Sequence, residues 1–209
     1  MTPDLPSPSD VYLIRHGETA NEFRDRCYGL LDVPLSPTGV DEVHELAELM
    51  RNCNFAAIYS SPRSRCVQTS EIIASHQSCA VTTIPELTEL NFGEFEGKLY
   101  CEIERTHPEL YAMWMRDPTE VQFPGGESFS QMCERVLSTL RSLRQQHAGN
   151  SIAIVSHAGV NRIILADALG MPAANIFRLA QRYAAINMIR YHGEYAVVEL
   201  MNGQHWQRI

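Results

Sequence analysis

Two short β-prone runs constrain this chain more than any other feature. Val11-Tyr12-Leu13-Ile14 ends in Arg15-His16-Gly17, and Ser151-Ile152-Ala153-Ile154-Val155 ends in Ser156-His157-Ala158-Gly159. An apolar run of this length bounded by polar residues reads as a buried strand. The glycine behind each histidine lets the chain turn tightly or approach a ligand. Between and around these runs strands and helices alternate. Ser36 as N-cap with Pro37 in the first turn opens a helix carrying Val43, Leu46, Ala47 and Met50. A strand over 56–59 follows, then a helix opened by Ser60-Ser61-Pro62 with Cys66, Thr69, Ile72 and Ile73 on one side, then a strand over 81–84. A long amphipathic helix is predicted over 128–144, and another over 160–169, stopped by Gly170. Late strands over 184–191 and 195–200 bracket His192-Gly193 as a hairpin turn. This order predicts an α/β three-layer sandwich: a mostly parallel sheet with an antiparallel edge and helices on both faces. Ligands of such sheets bind beyond the carboxyl ends of the strands, where both histidines would stand.

The stretch over 93–127 differs, with Gly93, Gly97, Gly125, Gly126, three prolines, Tyr100, Tyr111, Trp114 and Phe123. It reads as a lid-like insertion of short helices and loops within one domain over 11–209. Residues 1–10 hold three prolines and no Lys, Arg or apolar run, so they read as a flexible leader rather than a secretory signal. Among 209 residues, 17 Lys and Arg stand against 25 Asp and Glu, a net charge of -8 that argues against a general nucleic-acid binder. No window approaches the ~20 apolar residues of a membrane span. Cys27, Cys53, Cys66, Cys79, Cys101 and Cys133 form no CxxC pair and are thinly spread, a poor disulfide or zinc framework. Thiols in a reducing, cytoplasmic compartment are the expectation.

Two imidazoles at one sheet edge could serve several chemistries. The chain has no HxxxH, HxH, P-loop or GxGxxG, and Gly126-Glu127-Ser128-Phe129-Ser130 lacks the second glycine of a nucleophile elbow. Nucleophilic histidine remains, because neutral imidazole is a competent nucleophile near pH 7. At this point five segments, in order, resemble the histidine phosphatase superfamily, which includes cofactor-dependent phosphoglycerate mutases. They are Leu13-Ile14-Arg15-His16-Gly17-Glu18-Thr19, Ser61-Pro62-Arg63-Ser64-Arg65, the run from Glu89 to Gly97, Pro124-Gly125-Gly126-Glu127-Ser128, and Ser156-His157-Ala158-Gly159. Asp32-Val33-Pro34-Leu35-Ser36-Pro37-Thr38-Gly39 also fits.

The resemblance implies a phosphoglycerate mutase-like fold and a set of roles. His16 is the nucleophile that becomes phosphorylated. Arg15 and Arg65 clamp the phosphate through paired charged hydrogen bonds. His157 donates to the phosphoryl group, and Gly17 lets the chain approach it. Glu89, in an E-x-x-F-G pattern, is the acid for the leaving oxygen and then the base for water. No metal and no cofactor is implied. One position departs from the family: where an asparagine usually touches the phosphate stands Glu22, with Asn21 one residue earlier, so either the loop shifts to present Asn21 or this contact is lost. The stretch from Pro124 through Arg135, and Gly159-Val160-Asn161-Arg162-Ile163-Ile164-Leu165, are most similar to the phosphatase branch that contains α-ribazole phosphatases of cobalamin assembly. Lid cations Lys98, Arg105 and Arg116 stand among five acids, which disfavours doubly anionic substrates. The expected activity is therefore hydrolysis of a small phosphorylated metabolite. Phosphoglycerate mutase and a non-catalytic phosphate-binding module are the alternatives, and a homodimer is left open as a partner state.

Overall fold

A single register decides where the two histidines go. In the computed structural model, which describes residues 7–204, strand β1 (Ser9–Arg15) lies parallel to β4 (Ser151–Ser156), with Ile14 opposite Val155 and Arg15 opposite Ser156. His16 and His157 therefore leave the two central strands at the same level. The backbone N–H of His16 donates to the Ser156 carbonyl at 3.0 Å, extending the ladder one residue past the strand.

The remaining strands are β2 (Ala57–Ser60), β3 (Val81–Thr83), β5 (Ile186–His192) and β6 (Tyr195–Gly203). The sheet order is β3-β2-β4-β1-β5-β6. Strands β3, β2, β4 and β1 run parallel, and β5 and β6 add the antiparallel edge. This is the architecture expected from the alternation of elements. Each central strand is apolar on both sides because both sides are covered. Tyr12 and Ile14 face helices α1 (Pro37–Leu49) and α2 (Ser64–Ala74), where Val43, Leu46, Met50 and Ile73 complete one core. Val11, Leu13, Ile152 and Ile154 face α5 (Phe129–Gln146) and α6 (Ala158–Ala168), where Met132, Val136, Leu140, Val160 and Ile164 complete the other.

Helix starts follow their caps. Ser36 accepts the Gly39 N–H at 2.9 Å, and Ser128 closes a reciprocal capping box with Gln131. The second helix differs from expectation: α2 begins at Ser64 with Arg63 as N-cap, not at Ser60-Ser61-Pro62. Ser60 is still strand, and Ser61 is drawn away from capping by His157, 2.8 Å from its hydroxyl. Two residues expected in the leader belong to the sheet instead. Ser9 and Asp10 pair in β1, and Asp10 holds Arg190 at 2.9 Å, while residues 1–6 lie outside the described residues. The 93–127 stretch carries α3 (Tyr100–Thr106), α4 (Pro108–Arg116) and 3-10 turns, packed on an aromatic cluster of Phe92, Phe95, Trp114 and Phe123.

Gly17 and Gly39 let the loop after β1 lie directly on the start of α1. A Cβ on Gly17 would overlap the Gly39 carbonyl, and a Cβ on Gly39 would overlap the Glu18 backbone. That contact holds the His16 segment against the sheet end. No helix among the described residues is long and apolar enough to cross a membrane.

Candidate active site

The carboxyl ends of β1, β2 and β4 open into a cavity of about 410 Å³. Arg15, His16, Arg65, Glu89 and His157 all line it. They come from four separate segments of the chain, with Arg15 and His16 adjacent at the end of β1, and the fold brings them together.

His16 is buried, and its Nδ1 sits 2.8 Å from the Gly17 carbonyl. A carbonyl only accepts, so Nδ1 carries the hydrogen and Nε2 keeps its lone pair. Burial holds this imidazole well below the ordinary 6.5, and the positive Arg65 and Arg15 push the same way. His16 is thus neutral, with one nitrogen available for attack.

Arg65 is fully buried in the first turn of α2, where the helix dipole opposes a cation. Its Nη1 donates to the Leu31 carbonyl at 2.9 Å and its Nη2 to the Gly29 carbonyl at 2.9 Å. The opposite edge of that loop is held by Glu96, whose carboxylate accepts the N–H groups of Gly29, Leu30 and Leu31 at 3.0–3.2 Å. Among the described residues, Arg65 thus rests on peptide carbonyls of the 29–31 loop, not on a side-chain carboxylate. Arg15 donates to the Gln181 carbonyl at 2.6 Å and lies 3.9 Å above the Tyr183 ring. Neither guanidinium has a carboxylate partner among the described residues, and each leaves a buried Nε–H without an acceptor. A fully buried and a half-buried cation, neither paired with a carboxylate among the described residues, make a site for an anion.

His157 caps α6 and packs edge-on against His16, with ring centres 5.3 Å apart. Arg65 Nη2 approaches its Nδ1 at 3.3 Å, and guanidinium can only donate, so Nδ1 is the acceptor. The hydrogen then sits on Nε2 and goes to Ser61 Oγ at 2.8 Å. Burial, then Arg65, His16 and Arg15, hold this ring well below 6.5 as well. Both nitrogens of His157 are occupied in this arrangement. A donor role toward a phosphoryl group requires Arg65 to turn to the anion and Nδ1 to gain a proton.

Glu89 is half-buried at the start of α6. Its Oε2 accepts the Gly159 N–H at 2.9 Å, and its Oε1 accepts the Leu90 N–H at 3.0 Å. A Cβ on Gly159 would overlap Oε1, so this close approach needs the glycine. The segment carrying Glu89 is pinned from behind by Arg135, which donates to the carbonyls of Glu86, Thr88 and Glu89 and forms a two-pronged pair with Glu127.

Asn21 stands apart. It and Glu22 are exposed in a 3-10 turn and neither lines the cavity, whose nearest residues from that loop are Arg24, Asp25 and Arg26. Sequence reasoning missed Tyr28, Tyr183 and Ser61. Tyr28 shares hydroxyl contacts with Thr19 at 3.0 Å and with Tyr183 at 2.8 Å, and burial pushes its phenol up to about 12. Tyr183 lies on a loop held by a buried amide network of Asn161, Gln181 and Asn187. No periodicity marks that loop. Ser61 stands inside the Ser61–Arg65 segment, where the local sequence reads it as part of a helix start.

The two depressed histidines give a pH prediction. Below 6.5 the unfolded chain takes up protons that native His16 and His157 refuse. Stability is therefore full above 6.5 and falls as the pH drops, by up to about 1.4 kcal/mol per pH unit for each ring. The melting temperature should fall between pH 7 and pH 5, and the fall should be shallower in His16→Asn. Equal slopes for the two proteins would contradict the assigned protonation state.

A family model described as histidine phosphatase superfamily (branch 1) matches residues 11–204. The chain belongs to the histidine phosphatase superfamily. Among its superfamily relatives, the adenosylcobalamin/alpha-ribazole phosphatase of Escherichia coli is 29% identical over 199 residues, covering 93% of this chain and 96% of the relative. Phosphoglycerate mutase-like protein 4 of Arabidopsis thaliana is 32% identical over 157 residues, covering 74% of this chain and 68% of the relative. The crystal structure of the alpha-ribazole phosphatase from Shigella flexneri superposes with a TM-score of 0.84 at 28% identity, covering 93% of this chain and 96% of that one. The histidine phosphatase fold and the order of motifs expected from the sequence are thus those of the chain.

Proposed function

We propose that this histidine phosphatase is a phosphomonoesterase that passes the phosphoryl group of a small phosphorylated metabolite through His16 to water. One observation carries the reading: a fully buried and a half-buried guanidinium, neither with a carboxylate partner among the described residues, flank a neutral imidazole whose Nε2 lone pair is available. His16 Nε2 attacks phosphorus, and the bond from phosphorus to the alcohol oxygen breaks. Glu89 gives that oxygen its proton. Water then attacks the phosphohistidine, Glu89 takes its proton, and the P–N bond breaks to release phosphate. Arg15, Arg65 and a protonated His157 meet the charge on the transferring group. No metal enters this scheme, so phosphate release should survive excess chelator. A binding module would need neither the nucleophile nor Glu89 at the α6 start.

Domain organisation and compartment belong to the same proposal. The expected domain over 11–209, of which 205–209 lie outside the described residues, is one catalytic unit covered by the 93–127 segment and working in the cytoplasm with its six cysteines as thiols. The relatives point to α-ribazole 5′-phosphate as the first compound to supply.

The charge argument against a mutase changes with the structure. Lys98, Arg105 and Arg116 do not line the cavity, and Arg116 is engaged by Glu120 at 3.3 Å. The outer cations are Arg24, Arg26 and Arg162. Three arginines there could hold a second anion, so charge alone does not separate a hydrolase from a mutase, and hydrolysis is favoured by the relatives named as phosphatases. With 3-phosphoglycerate and a trace of 2,3-bisphosphoglycerate, free phosphate should be the main product. Rapid 2-phosphoglycerate with little free phosphate would make the protein a mutase.

A further inference from the structure

Buried polar atoms without a partner gather in two regions of the molecule. Among the described residues, Arg15 and Arg65 each leave a buried Nε–H without an acceptor at the catalytic cavity, and so does Arg63, two residues before Arg65. The others are Arg144 Nε and the Tyr191 hydroxyl, and both residues line a second cavity of about 450 Å³. Buried polar groups are nearly always paired, so two orphans at one cavity need an explanation. This cavity lies at the amino end of β1, where Ser9 pairs with Tyr191 of β5. The catalytic cavity lies at the carboxyl end of the same strand. The steps from Ser9 to Arg15 put about 20 Å between them, at ~3.3 Å per residue.

The wall is cationic. Arg141 and Arg144, one turn apart on one face of α5, both line it. Arg144 lies 3.7 Å above the Tyr191 ring and donates through Nη2 to the Gly193 carbonyl, which holds its guanidinium in place. Glu194 is the one acid among the described lining residues; it is 94% exposed and 3.6 Å from Nη2, a pairing that contributes little in water. Arg141 has no ion-pair partner among the described residues. Burial pushes the Tyr191 phenol up to about 12; Arg144 pulls the other way, and Asp167 and Glu194 add to the rise. The phenol therefore keeps a hydrogen to donate. Ser9 Oγ accepts the Gly149 N–H at 2.8 Å and retains its own hydrogen.

A ligand that meets these donors must bring negative charge and several acceptor oxygens. A carboxylate offers two oxygens in one plane. A tetrahedral oxyanion offers more, in different directions, and guanidinium binds phosphate oxygens through charge-assisted hydrogen bonds. Ala148 is the one aliphatic side chain among the described lining residues, so an organic body would find little to pack on. We propose that this cavity is a second anion site that takes a free phosphate ion on Arg141, Arg144 and the Tyr191 hydroxyl. It lies outside the reaction path and does not depend on what His16 does.

The test is an amide NMR titration of the native protein with inorganic phosphate at constant ionic strength. Gly193 and Glu194 report this cavity, and Gly17 and Gly159 the catalytic one. Signals at both places should shift and saturate. Tyr191→Phe removes one hydrogen bond to an anion and should raise the midpoint at Gly193 by about 10-fold while leaving the midpoint at Gly17 unchanged. Arg141→Ala should raise it a few-fold. Arg141 is exposed and Tyr191→Phe keeps the ring, so both variants should fold, which a melting curve checks. Shifts at Gly193 that fail to saturate, or that sodium chloride alone reproduces, overturn the site. Equal midpoints at Gly193 in the native protein and both variants overturn the residue assignment. Acetate binding there as tightly as phosphate overturns the choice of ion. Saturation at Gly193 with no response at Gly17 leaves this site standing and counts against the phosphatase reading instead.

Discussion

His16→Ala is expected to lower phosphate release by on the order of 10⁴-fold or more, the scale of loss when a covalent nucleophile is removed. The residual site should still bind inorganic phosphate, because Arg15 and Arg65 take their positions from the Gln181, Gly29 and Leu31 carbonyls and not from His16. That separates loss of chemistry from loss of the fold. Acid quench of the native protein during turnover should trap labelled protein whose label is lost in acid and kept in base, as a phosphoramidate behaves. His16→Ala should trap none. A variant that turns over, or a label stable to acid, would remove His16 from the nucleophile's place. If the label instead moved to His157, the two imidazoles would have exchanged roles, which their 5.3 Å separation allows geometrically.

The histidine pair was legible because its cause is local and repeated. Each imidazole follows an apolar run, and parallel pairing with Arg15 opposite Ser156 needs nothing further to bring them level. The fold was legible for the same reason: strand and helix periodicities alternate, and parallel strands need crossover helices. Gly159 was visible as a glycine, but its purpose became clear only with Glu89 lying where a Cβ would be. Glu96 shows the opposite case. In sequence it is one of several acids in a polar stretch and reads as solvated. In the structure its carboxylate gathers the N–H groups of the 29–31 loop, whose carbonyls then face Arg65. Such an arrangement depends on backbone direction, which composition does not encode.

The outer wall was the least legible part. Arg162 and Phe177 come from α6 and from the turn after it, and Trp114 from the covering segment. Nothing in their local sequence distinguishes a ring that faces substrate from one that packs a core. Counting lid charges failed for a related reason. Lys98, Arg105 and Arg116 belong to the covering segment, yet their side chains stay outside the cavity, while Arg24 and Arg26 enter it from the loop after β1.

Glu89→Gln is expected to separate leaving groups. A positioned general acid contributes ~10²–10⁴-fold, and its contribution grows as the departing oxygen becomes more basic. An alkoxide needs the proton, whereas nitrophenolate departs without it. In single-turnover phosphorylation the variant should therefore lose about 10²–10⁴-fold on an alkyl phosphate and far less on nitrophenyl phosphate. The substitution also carries a structural cost. Both oxygens of Glu89 accept backbone N–H groups, from Gly159 and Leu90, so the glutamine amide must point its NH₂ at a donor. That conflict acts on the empty site and lowers both substrates alike, so the ratio between them isolates the proton transfer. Hydrolysis of the phosphohistidine supplies a second readout. There Glu89 acts as base toward water whichever ester was supplied, so that step should slow equally for the two substrates, and labelled protein should accumulate with nitrophenyl phosphate. Equal losses in the phosphorylation step would leave Glu89 holding the start of α6 in place, with the leaving oxygen taking its proton from another group.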